Sequence, residues 1–183
     1  MFLLLCSFAL AGAFGLEAGT PIAALDHPVP KGDGVYLLQN VPKPNPEFSS
    51  YVVIATPALG VCKVVGIGQG HEGDLDGSAI RGVATGLAEV LRAKYGTPKV
   101  YDFLHAGSIW RDPGDFAMGL YLNQRTLAYA WSQGVASLPA DLGSILLTAT
   151  GPSSTTTSIT LGYEFTIFSA YADARSRVGA EGL

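Results

Sequence analysis

Two stretches of this chain concentrate side chains that could do chemistry. The first is Gly66-Ile-Gly-Gln-Gly-His-Glu-Gly-Asp-Leu-Asp-Gly77, a glycine-rich loop holding His71, Glu72, Asp74 and Asp76. Carboxylates spaced i, i+2 ahead of a glycine resemble the opening of a calcium loop, so these four residues are the candidate metal ligands. The rest of that pattern is not kept. Ser78 takes the next alternate position, and Arg81 and Gly82 stand where a bidentate Glu would be needed. The competing role for Asp76, or for Ser78, is to cap a helix that starts there. As a phosphate cradle the loop is weaker, because its glycines are misspaced and no Lys or Arg follows before Arg81.

The second stretch holds His105, Trp110, Arg111 and Asp112, with Asp115 three residues on. Trp and Arg dominate binding hot spots, so these four are the candidate binding residues. The competing role puts Trp110 in the core under the loop and pairs Arg111 with Asp115. An extended Ser108-Ile-Trp110 sends Ile109 and Trp110 to different faces, so one must point outward. The core is the expected place for Trp110, because it has the larger area to bury.

Other catalytic signatures are missing from the sequence. It has no Gly-x-Ser-x-Gly elbow, and His27, His71 and His105 stand too far apart for local metal-ligand spacing. No cofactor is expected. Cys62 lies in the strand-like run Gly60-Val-Cys-Lys-Val-Val-Gly66, which suits a buried, unreactive thiol. With net charge −4 and pI near 5.2, the chain has no overall basic field for a phosphate backbone, so no nucleic-acid partner is expected.

The chain has 183 residues, 48% hydrophobic and 14% charged, enough to bury the core of one domain. Met1 to Ala13 reads MFLLLCSFALAGA, an uncharged apolar run ending in small residues. It resembles a secretory signal with Ala11 and Ala13 at the small positions, and predicts a mature start near Phe14. The apolar run stops at Glu17, short of the roughly 18–20 residues of a membrane span. The expected division is a leader at 1–13, one domain over 14–172 and a frayed or weakly helical tail over 173–183. The expected location is periplasmic or secreted, with no transmembrane segment in the mature chain.

The elements follow from periodicity and punctuation. Thr20-Pro21 predicts a short helical turn through Ile22 and Leu25. Strand-like runs follow at 34–41, 48–56 and 61–67. The strongest helix signal starts near Ser78, with Ile80, Val83, Leu87, Val90 and Leu91 as its apolar stripe and Gly96 and Pro98 as its end. Residues 101–104 fit a strand or a helix extension. Asp112-Pro113 predicts a second short helix through Phe116, Leu120 and Tyr121. Runs at 126–132, 144–150 and 158–169 predict three more strands, with a hairpin loop at 151–157. The pattern is a helix and three strands, twice over. It predicts an α+β fold with an antiparallel sheet of about six strands and helices on one face.

The segments Tyr95-Gly96, Asp102-Phe-Leu-x-x-Gly-Ser-Ile-Trp110 and Arg125-Thr-Leu-x-x-x-Trp131 resemble a family of bacterial exported proteins of about this length. The resemblance implies export and carries no chemistry with it. The repeated helix-then-strands pattern is also similar, at fold level, to β-lactamase-inhibitor-type domains, which bind proteins across a sheet face. Three functions are compatible with these readings. One is an exported, non-enzymatic module that binds a protein or itself. A second is a small periplasmic hydrolase or metal-dependent enzyme using the His71, Asp74 and Asp76 loop with His105. The third is a structural subunit of a larger assembly.

Overall fold

Alternating side chains set the sheet. In β3 (Phe48–Thr56) the residues Tyr51, Val53 and Ala55 are buried, and in β4 (Gly60–Gly68) Val61 and Val64 are buried to face them. The computed structural model describes residues 12–181. Before β3 come a 3-10 turn at Ile22–Ala24, β1 (Val29–Gly32) and β2 (Val35–Leu38). After β4 come a two-residue β5 (His71–Glu72), α1 (Ser78–Tyr95) and β6 (Lys99–Leu104). The chain then forms α2 (Phe116–Tyr121), β7 (Arg125–Ser132), β8 (Leu142–Ser153), β9 (Thr156–Phe165) and α3 (Phe168–Glu181).

Nine strands form one antiparallel sheet in the order β1-β2-β3-β4-β9-β8-β7-β6, with β5 pairing with β9 off that path. The α+β class agrees with the sequence, but the strand count exceeds the expected six. The three additional strands gave little local signal. β1 is an edge strand containing Pro30, β5 is two residues long, and β6 shows no alternation of burial. The repeat is real in arrangement: β1–β4 and β6–β9 are four-stranded meanders meeting where β4 pairs with β9.

Pairing registers carry side chains across the sheet in rows. One inward row runs Tyr36, Val53, Val64, Tyr163, Ile145, Trp131. A second runs Leu38, Tyr51, Gly66, Leu161, Leu147, Tyr129. Both rows face α1, which buries Ile80, Ala84, Ala88, Leu91 and Tyr95 in the same cluster. The stripe therefore sits one position round from the expected one. Val83 and Leu87 flank it, and Val90 is 69% exposed. Alanines at 84 and 88 let the helix lie close to the sheet, and the larger residues fill the margins.

The first described residues sit inside this packing. Phe14 puts its ring edge-on to Phe48, Tyr51 and Tyr163, with centroids 4.8–5.5 Å apart. Ala13, the last residue of the expected leader, is buried and exchanges two backbone hydrogen bonds with Leu16. Residues 1–11 lie outside the described residues, so the leader is not seen beyond Gly12. The expected boundary at 172 falls inside α3. The strand expected through 169 ends at Phe165, where the chain turns into that helix. Tyr171 anchors α3 by donating its hydroxyl to the Asp33 carbonyl at 2.9 Å. The Lys63 ammonium lies 5.0 Å from the Phe168 ring centroid. Lys63 alternates with inward-facing Val64, so Phe168 approaches the sheet from the side opposite α1. No described helix is long and apolar enough to cross a membrane.

Candidate functional site

The glycine-rich loop is built to start a helix. Asp74 is buried, and its carboxylate accepts N–H bonds from Ala79 at 2.9 Å and Ile80 at 3.1 Å. It also accepts the Thr157 hydroxyl at 2.6 Å. Asp76 accepts from the Ser78 N–H at 3.0 Å. These bonds satisfy the orphan donors of the first turn of α1. Burial pushes the Asp74 carboxyl up, but the bonds from Thr157, Ala79 and Ile80 outweigh it and hold it below its ordinary value. Gly77 sits at φ 72°, and a Cβ there would run into the Phe116 ring. The backbones of His71 and Glu72 form β5, paired with Thr157 and Thr156. Among the described residues, no three His, Cys, Asp or Glu side chains group as metal ligands.

The second stretch is dispersed. Ile109 is 76% exposed, whereas Trp110 is half-buried and outside the buried core. Arg111 does not pair with Asp115; its Nε–H donates to the Ser108 carbonyl at 3.0 Å. Asp115 instead accepts the Asp112 N–H at 3.2 Å, closing a capping box ahead of α2. His105 bonds to the Thr126 hydroxyl at 2.9 Å and stacks on Phe103. Cys62 is buried, and burial pushes its thiol pKa up.

His105 lines a cavity, and its companions there gave no signal in the sequence. The β7–β8 ladder runs from Ser132↔Ser144 to Ala128↔Thr148 and goes no further. Beyond it the strands part, and α2 fills one side of the gap. Asn123, at φ 54°, ends α2 and turns the chain so that Arg125 opens β7. The resulting cleft, about 320 Å³, is lined by His105, Asn123, Arg125, Thr126, Thr148 and Thr150 among others.

No family model, curated protein or solved structure matches this chain. Its function has to be read from its own surfaces.

One of these is the face opposite α1. Registers place Val29, Leu37, Val52, Val65, Gly162, Leu146 and Ala130 in one row that crosses seven strands. Leu146 is 47% exposed, and so is Phe103 two strands away. Gly162 leaves a notch of about 230 Å³ between Val65 and Leu146. The notch is bordered by the Lys63–Glu164 ion pair, 3.1 Å apart, and by Thr160. Flat apolar area with a central recess and a polar rim is what a protein contact needs.

Proposed function

We propose that this chain is an exported, non-enzymatic module that takes a protein partner across the face of its sheet opposite α1. The observation that carries this reading is the apolar row from Val29 to Ala130, notched at Gly162. Export is supported by the apolar run Met1–Ala13. A non-enzymatic role is supported by the use of the acidic loop, where Asp74 and Asp76 hold helix N–H groups.

Leu146→Glu tests the reading, because Leu146 points outward and its loss leaves the core intact. A partner captured from the envelope of the producing cell is purified and re-bound to both forms. The expected result is at least about tenfold weaker binding to Leu146→Glu, with an unchanged Tm. Equal binding to both forms overturns the reading, as does the recovery of no partner together with no self-association in solution.

A further inference from the structure

We propose that the cleft between β7 and β8 binds the carboxylate of a small organic acid through Arg125. This is independent of the sheet-face reading. The Arg125 side chain is only 18% exposed, yet none of its five N–H donors makes a hydrogen bond to a described residue. Its nearest carboxylate, Asp102, stands 3.7 Å away and is already engaged. Asp102 accepts two bonds from Arg81, at 2.6 and 3.2 Å. Among the described residues, no other carboxylate comes within 4.0 Å of either guanidinium. Two cations therefore share one anion, and the cluster keeps one positive charge.

The position of Arg125 is held from behind. Both guanidinium groups stack on Phe116, at 4.6 Å for Arg81 and 4.9 Å for Arg125. Gly119 leaves room for the Arg125 stem. The Arg125 Nε–H is buried with no partner, and a carboxylate matches the planar fork of the guanidinium. Thr126, Thr148 and Thr150 line the walls, and the Thr148 hydroxyl is buried with no partner of its own. Leu120 and Ala149 supply an apolar end. At about 320 Å³ the cleft is at the small end of ligand sites, which favours a short acid over a polymer.

The experiment titrates the whole protein with sodium butyrate and, separately, with inorganic phosphate, following amide shifts by NMR. Saturable butyrate binding, with a Kd of about 1 mM or tighter, is expected. The shifts should centre on Arg125, Thr126 and Thr148, with phosphate binding weaker. Arg125→Lys keeps the charge but loses the fork, and should bind butyrate at least about tenfold more weakly. Thr148→Val, which leaves Arg125 in place, should weaken binding less. If wild type shows no saturation with butyrate, the proposal is overturned whether or not any variant folds. Tighter binding of phosphate than butyrate overturns the carboxylate assignment. Equal butyrate binding by Arg125→Lys overturns the role of Arg125.

Discussion

The carboxylate of Asp74 and the hydroxyl of Thr157, 83 positions apart, meet at 2.6 Å inside the protein. The same carboxylate holds the N–H groups of Ala79 and Ile80, so one side chain ties the start of α1 to the start of β9. Asp74→Ala would strand two helix donors and a buried hydroxyl. The expected cost is about 3 kcal/mol, measured by urea unfolding. A loss under about 0.5 kcal/mol would show that the tie contributes nothing.

Acid should loosen the same joint. The folded-state pKa of Asp74 lies below its ordinary value, so the unfolded chain takes up the proton first as pH falls. The stabilisation is present above about pH 5 and lost progressively below about pH 4. Comparing Tm from pH 7 to pH 3 checks this. Wild type should lose more stability across that window than Asp74→Asn, and parallel curves would contradict the assignment.

The two tryptophans should behave differently. Trp131 is fully buried, and its indole N–H donates to the Gly96 carbonyl at 2.7 Å, joining β7 to the end of α1. Trp131→Phe keeps most of the volume and leaves that carbonyl unpaired, at a cost of about 1–3 kcal/mol. Trp110 is half-buried outside the core, so Trp110→Ala should cost only about 1–2 kcal/mol. Denaturation of Trp110→Ala can be followed by Trp131 fluorescence. A loss of about 3–5 kcal/mol would restore the core role expected from the sequence.

Two glycines in the central strands offer a matched pair. A Cβ on Gly66 would lie 2.8 Å from both the Phe14 and Phe48 rings, so Gly66→Ala should cost about 1–3 kcal/mol by overpacking. A Cβ on Gly162 meets nothing closer than 3.7 Å, and Gly162→Ala should be neutral or stabilising by up to about 1 kcal/mol. Thermal melts of the two variants decide it. Equal losses would mean that the notch is not open.

Local pattern alone determined the α+β class, the long helix with its Gly96 end, the short helix after Asp112-Pro113 and the strands with clear alternation. These features rest on interactions between near neighbours, which periodicity and capping residues report directly. Strands β1, β5 and β6 escaped because each is held mainly by the strand beside it rather than by its own composition. Asp74 looked like a metal ligand because Thr157, the partner that completes its bonding, stands 83 positions away and outside any local reading. The apolar row and the Arg125 cleft were invisible for the same reason. The row exists only once register aligns seven strands, and the cleft only where the β7–β8 ladder stops at Ala128 and Thr148. Register and strand separation are set by the whole packed sheet, so tertiary structure alone decided where this protein could bind anything.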